Sequence, residues 1–202
     1  MNRRDLLRNA AYLTGAAIAA PAALTLLNSC GREAAAGVTF EPQYFTSDEA
    51  RFITRYVDTL LPRTETPGGL DVGVDRFIDR FMAAVSPKTA DEPSDMSNGI
   101  AEMEQEAVNA YQRSFAELDD AQLHELFATQ EEHSPRYNPQ VWGTTIGEQP
   151  PVGFYRSLKS MALWAYLSSE TIATEVLNYD PIPGEYKGDI PLASVGGRAW
   201  SL

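Results

Sequence analysis

Cysteine is almost absent from this sequence, because Cys30 is the only one in 202 residues. A single thiol excludes an internal disulfide, a C-x-x-C-H haem attachment and an iron–sulfur cluster ligated by several cysteines. The chain also lacks a G-x-G-x-x-G turn after a strand pattern and a G-x-S-x-G nucleophile motif. The sequence therefore carries no signature of a dinucleotide-binding fold, a covalent haem or a serine-hydrolase centre.

Histidine is nearly as scarce, with only His124 and His133 in the chain. Their nine-residue separation puts them on different sides of a helix. The Glu-x-x-His pair of di-iron bundles is missing, because Gln130 stands where the glutamate is needed. One interpretation is a metal site built from His133 with Glu131 or Glu132. The alternative, which the spacing favours, is two surface histidines.

The chain contains no long, strongly apolar run, and its one uncharged apolar stretch lies near the N-terminus. Residues 1–8 are basic, with Arg3 and Arg4 adjacent, and residues 10–27 are rich in alanine and interrupted by Gly15 and Pro21. This order is typical of an export signal and makes a poor permanent membrane span, although a retained anchor helix is the alternative. We therefore predict a signal peptide over residues 1–29.

The segment NRRDLLR at residues 2–8 resembles a twin-arginine export signal, in which two arginines precede a polar residue and then apolar ones. The weakly hydrophobic alanine-rich stretch also suits that route. The alternative is that Arg3 and Arg4 are the positive region of an ordinary signal. The resemblance implies transport of a folded protein, either this chain or a partner that travels with it.

The segment LNSC at residues 27–30 resembles a bacterial lipobox, in which the cysteine is acylated and becomes the first residue of the mature protein. The alternative is an ordinary cleavage site followed by a cysteine. Several acyl chains anchor a protein firmly, whereas a single chain binds a membrane only marginally. We therefore expect lipidation at Cys30, a tether over residues 30–44, and a periplasmic protein anchored to a membrane.

Positive charge is also in short supply. After removal of residues 1–29, 13 basic and 27 acidic residues remain, which gives a net charge of −14. Such a surface repels phosphate backbones and excludes nucleic-acid binding. The remaining 173 residues are enough for one domain with a hydrophobic core, which we place at residues 45–202.

The pattern of this domain is helical throughout, without convincing strand alternation or repeats. Thr46 and Glu49 form a capping-box signature ahead of apolar residues at helical spacing, and Asp119 or Asp120 begins a later helix. Residues 152–167 are the most apolar helix and are predicted to be the core. We expect an all-α fold, a single helical bundle of about five to six helices with long irregular loops and an extended C-terminal tail.

Two side-chain sets within these helices are candidates for chemistry. Asp71, Asp75 and Asp79 recur every four residues, and paired carboxylates can perform acid–base catalysis when burial separates their pKa values. The pattern instead favours a solvated acidic stripe, because no apolar neighbours are apparent on that face. Trp164 and Tyr166 could line a cofactor, but packing in the core is the default interpretation.

Three stretches together resemble the gluconate 2-dehydrogenase subunit 3 family. They are a helix ending in VDTLLP at residues 57–62, the segment TPGGLDVGVDRFID at 66–79, and a late helix followed by YDPIPGEYKG at 154–188. The resemblance covers roughly residues 45–188. The acidic loop at residues 90–95 and the lipobox depart from the family pattern.

The resemblance implies a non-catalytic small subunit with no catalytic, cofactor or metal site of its own. The expected partners are a flavoprotein dehydrogenase that holds FAD and oxidises a sugar or sugar acid, and a cytochrome c subunit. We expect Trp142, Tyr179 and Tyr186 to contact a partner, because aromatic residues are enriched at interfaces. The alternatives are a stand-alone lipoprotein that binds a ligand or a cell-envelope partner, and a helical enzyme with a non-covalent cofactor or metal.

Overall fold

The structure is a computed structural model that describes residues 37–85, 94–136, 140–141, 144–145, 147–148, 151–182, 184–185 and 189–201. The chain divides into two compact units, Met1–Thr39 and Phe40–Leu202. The first is described only at residues 37–39, and the second contains all the elements discussed below. The predicted signal peptide therefore lies outside the described residues, and the domain boundaries remain predictions.

The prediction of an all-α fold is confirmed. Five α-helices form the framework of the second unit: α1 Ser47–Leu60, α2 Val74–Val85, α3 Asp95–Tyr111, α4 Asp120–His133 and α5 Gly153–Leu167. Short 3₁₀ turns at Phe115–Glu117 and Leu192–Val195 and a wider π-type turn at Ile172–Val176 supplement them. Within the predicted loop before α5, Gln140–Val141 pairs antiparallel with Thr144–Thr145.

Local sequence determines where the helices begin. The Thr46 hydroxyl accepts a hydrogen bond from the Glu49 backbone N–H, and the Glu49 carboxylate accepts one from the Thr46 N–H at 2.8 Å. Asp119 caps α4 in the same reciprocal way with Gln122. The predicted capping box at Thr46 is therefore confirmed, and of the two predicted cap residues of the later helix, Asp119 rather than Asp120 is the cap. Each box satisfies backbone donors that helix geometry leaves unpaired.

Helix α5 lies at the centre of the bundle, as its composition predicts, and it packs against α2, α3 and α4. Where α5 meets α1 and α4, the core is aromatic. Phe115 is fully buried with its ring centroid 4.2 Å from that of Phe52, and Phe127 lies 5.6 Å from Tyr155. Tyr56, also fully buried, donates a hydrogen bond to the Tyr155 carbonyl oxygen at 3.2 Å.

The buried tyrosines predict a loss of stability at alkaline pH. Burial, aided by the charge of Glu131, raises the pKa of Tyr155 to about 12, and burial also raises the pKa of Tyr56. As pH rises past about 10, the unfolded chain loses phenol protons that the folded chain retains, so unfolding is favoured. The free energy of unfolding, measured with urea, should decrease between about pH 9 and about pH 11, and Tyr155→Phe should make this decrease with pH less steep. An unchanged slope would contradict the assignment to Tyr155.

The C-terminal segment, predicted as an extended tail, is tied together near Asn178 in its described residues. Asn178 forms an isolated parallel bridge with Trp200, and its side-chain amide donates hydrogen bonds to the carbonyl oxygens of Val195 and Arg198. After the π-type turn, the described residues 195–200 thus lie beside Asn178, so that the two ends of the segment 178–201 meet. We call this segment the C-terminal loop. Among the helices that the structure describes, none is long and apolar enough to cross a membrane.

Candidate functional site

Both histidines belong to α4, and both are exposed. Glu131, considered above as a ligand partner of His133, instead pairs with Lys159 at 2.7 Å and Arg156 at 2.9 Å on α5. The hydrogen bond from Lys159, together with that from Arg156, lowers the pKa of the Glu131 carboxyl. The residues that the structure describes contain no group of three or more His, Cys, Asp or Glu arranged to hold a metal ion.

The predicted solvated stripe of aspartates is wrong for two of its three members. Asp79 is fully buried, and its carboxylate accepts backbone hydrogen bonds from Gln43, Tyr44 and Phe45 at 2.7–3.0 Å. This carboxylate replaces the solvent that would otherwise hydrate three consecutive N–H groups before α1. Asp79, which lies on α2, therefore holds the segment that precedes α1 against α2.

Asp75, one turn earlier on the same helix, is buried as well. Its carboxylate accepts hydrogen bonds from the Thr54 hydroxyl of α1 at 3.1 Å and from the Arg76 N–H at 2.8 Å. Burial raises the pKa of Asp75 despite these donors. The acid–base interpretation requires carboxylates that reach a substrate, whereas Asp75 and Asp79 are directed into the contact between α2 and the α1 region. We assign both a structural role.

Asp71, the remaining member of that set, lies outside the helix at a shallow cleft. The cleft has a volume of about 330 Å³, and its lining includes Arg63, Asp71 and the threonines at positions 64, 66 and 171. The Asp71 carboxylate pairs with Arg63 and accepts the Gly68 N–H at 2.7 Å, and these contacts lower the pKa of Asp71. Arg63 and Asp71 thus neutralise each other, and Glu65 adds a further acidic side chain to the lining.

Of the three predicted partner contacts, only Tyr179 falls among the described residues, since Trp142 and Tyr186 lie outside them. Tyr179 is 56% exposed and begins the C-terminal loop just after Asn178. Arg3, Arg4 and Cys30 also lie outside the described residues. Their predicted roles in export and lipidation remain predictions.

The C-terminal loop exposes an unusual share of apolar surface. In the described part of the chain, ten large apolar side chains are exposed, and half of them belong to this loop: Tyr179, Ile182, Ile190, Leu192 and Trp200. Exposed apolar side chains concentrated in one segment are typical of an interaction site. The loop is also held in place by Asn178, so its apolar side chains are presented on a closed segment.

A second exposed apolar surface lies on the bundle itself, and sequence reasoning missed it. Phe77 and Phe81 of α2 stack with ring centroids 5.9 Å apart, and Trp164 of α5 meets them edge-on at 5.3 and 5.6 Å. Trp164 is 47% exposed, so the prediction that it packs in the core is wrong. One signal was available: apolar residues follow both the 74/78/82 and the 77/81 rows of α2, a wider arc than one buried face requires.

Sequence comparison matches the helical unit to a protein family. The family described as gluconate 2-dehydrogenase subunit 3 matches residues 47–184, from the start of α1 into the C-terminal loop. The chain belongs to this family. No curated protein and no solved structure gives a significant match.

Membership in the subunit 3 family identifies the chain as an accessory subunit that works beside a gluconate 2-dehydrogenase partner. The matched region includes the aromatic core, the buried aspartates of α2 and all of α5. It also includes Tyr179 and Ile182 at the start of the C-terminal loop. For an accessory subunit, the exposed apolar surfaces of the folded unit are the candidate sites of contact with a partner.

Proposed function

We propose that this protein is a non-catalytic small subunit of a membrane-associated, periplasmic dehydrogenase that oxidises a sugar or sugar acid with FAD bound in its large subunit. In this proposal the chain supports export, assembly and anchoring of the flavoprotein. The observation that carries it is the family match over residues 47–184. A cytochrome c subunit would accept the electrons.

The C-terminal loop is the surface that we assign to the flavoprotein. Its exposed Tyr179, Leu192 and Trp200 are the residue types that dominate the centres of protein interfaces or pack well within them. Because Asn178 closes the loop before any partner binds, little ordering cost is expected on association. Trp142 and Tyr186 remain predicted contacts, and alanine at both should weaken co-purification of the flavoprotein.

Export and anchoring are assigned to the two N-terminal signals. Arg3 and Arg4 would direct the folded complex to the twin-arginine route, so that FAD is inserted before transport. Acylation at Cys30 would then hold the small subunit, and with it the flavoprotein, at the membrane.

The decisive experiment is isolation of the full chain from native membranes by an affinity tag placed after Leu202. We expect a flavoprotein to co-elute with flavin fluorescence, and haem absorbance if the cytochrome is bound. In cells with Arg3→Lys and Arg4→Lys, flavin should be missing from the exported fraction, whereas Cys30→Ser should release the complex from membranes. Arg113→Gln serves as a control, because this exposed arginine lies outside both signals.

An eluate without flavin, from membranes that contain the anchored chain, would contradict the subunit proposal. That result would instead favour a stand-alone lipoprotein. A chromophore or metal that co-elutes with the chain alone would favour the third interpretation, a helical enzyme with its own cofactor.

A further inference from the structure

The aromatic surface of α2 and α5 is flanked by positive charge. Helix α2 has four charged residues, and it buries both acids, Asp75 and Asp79, while it exposes both bases, Arg76 and Arg80. Helix α5 contains no acidic residue at all. The side of the bundle that carries Phe77, Phe81 and Trp164 therefore presents arginines beside aromatic rings. Five exposed or half-buried residues of the two helices make up this surface, which we call the basic aromatic patch: Arg76, Phe77, Arg80, Phe81 and Trp164.

This local charge is opposite to that of the whole protein, whose net charge is −12. An anionic surface would repel most of the molecule but attract the basic aromatic patch. Arginine also forms bidentate hydrogen bonds with phosphate groups, and tryptophan and other amphipathic aromatics favour the headgroup level of a bilayer. The chemistry of the patch thus matches the surface of a membrane that contains anionic phospholipid.

The patch also lies where the chain enters the folded unit. The Arg76 guanidinium carbon lies 6.0 Å from the centroid of the Phe40 ring, and Asp79 binds the N–H groups of the residues at positions 43–45. Phe40 lies ten positions after Cys30, and an extended chain spans at most about 3.6 Å per residue. A lipid at Cys30 would therefore hold Phe40, and the α2 surface beside it, within about 36 Å of the bilayer.

We propose that the basic aromatic patch is a membrane-docking surface. The rings of Phe77, Phe81 and Trp164 would rest at the headgroup level, with Arg76 and Arg80 paired to lipid phosphates. The inference rests on the proposed lipid attachment at Cys30, which supplies proximity, while the patch supplies orientation. In this arrangement α2 faces the bilayer, and the C-terminal loop remains available to the flavoprotein.

Two single-tryptophan reporters test this orientation in the full, lipid-modified chain. Trp142→Phe with Trp200→Phe leaves Trp164, and Trp142→Phe with Trp164→Phe leaves Trp200, which is exposed to a similar degree, 49% against 47%. Both proteins are reconstituted without a partner into vesicles of phosphatidylcholine with or without phosphatidylglycerol, some lipids carrying brominated acyl chains. Circular dichroism and thermal unfolding first establish that both reporters fold like the parent.

We expect brominated lipid to quench Trp164 several-fold more than Trp200, and only in vesicles that contain phosphatidylglycerol. Arg76→Gln with Arg80→Gln should lower the ratio of docked to undocked protein by about thirtyfold, since the two arginines contribute equal factors to the binding of an anionic surface and both factors are lost. Arg113→Gln with Arg136→Gln removes the same charge outside the patch and should leave the quenching of Trp164 unchanged.

The proposal would be overturned if the two reporters were quenched equally, or if Arg76→Gln with Arg80→Gln left the quenching of Trp164 unchanged. A Trp164 emission that shifts only when the flavoprotein is added, or only as protein concentration rises, would overturn it in favour of a protein interface. None of these outcomes depends on flavin. Failure here is therefore distinguishable from failure of the subunit proposal, which the flavin content of the native eluate decides.

Discussion

Replacement of Asp79 by alanine is expected to lower the free energy of unfolding by about 4 kcal/mol. The substitution removes the acceptor of three hydrogen bonds and leaves the N–H groups of Gln43, Tyr44 and Phe45 without it. Tyr44 and Phe45 are buried, so water cannot replace the carboxylate without opening the segment. Urea unfolding at neutral pH, followed by circular dichroism, measures the loss.

Two variants make this result specific to the carboxylate. Asp79→Asn keeps one acceptor oxygen and should lose an intermediate amount. Asp58→Ala removes an aspartate that is half-exposed on α1 and paired to Arg55 at 3.7 Å, so its cost should stay below about 1 kcal/mol. If Asp79→Ala and Asp58→Ala cost the same, Asp79 does not hold the segment before α1.

Alanine at Tyr179, Leu192 and Trp200 together should raise the dissociation constant of the complex with the flavoprotein by about a thousandfold. The three side chains supply much of the exposed apolar surface of the C-terminal loop. Truncation of a tryptophan or tyrosine at the centre of an interface commonly costs about 2 kcal/mol. Titration of the purified small subunit into immobilised flavoprotein measures the change.

The fold of this triple variant should remain intact, because all three side chains are exposed in the free subunit. A thermal unfolding midpoint within a few degrees of the parent establishes this. Val85→Ala with Val108→Ala provides the control, since these valines are also exposed but lie on α2 and α3. If the triple variant bound the flavoprotein with the same affinity as the control, the C-terminal loop would not be part of the interface.

The parts of the fold that sequence predicts correctly are those determined by neighbouring residues. The capping box at Thr46 appears as predicted, and the cap of α4 lies at Asp119, one of the two predicted residues. Both boxes depend on side chains three positions away. The central position of α5 follows from its composition. These features require no knowledge of tertiary structure, because their partners lie within one turn of the same chain segment.

The parts that sequence predicts wrongly depend on distant partners. Asp79 is buried because its hydrogen-bond donors lie about 35 positions earlier, and periodicity within α2 contains no trace of them. Once Asp75 and Asp79 face inward with Val74 and Ile78, the row of Phe77 and Phe81 must lie toward the surface. One long-range contact thus converts a predicted acidic stripe into a buried anchor and leaves Phe77 and Phe81 in a partly exposed patch.

The same contact determines the path of mechanical force through the protein. If the proposed lipid anchor at Cys30 were pulled against a bound partner, tension along the chain would pass Phe40 and meet Asp79 before it reached α1. Three backbone N–H groups bind the single carboxylate of Asp79, so the three hydrogen bonds would be loaded at the same time rather than one after another. Because α2 packs on the central α5, this contact would pass the load to the centre of the bundle before it reached the first turn of α1.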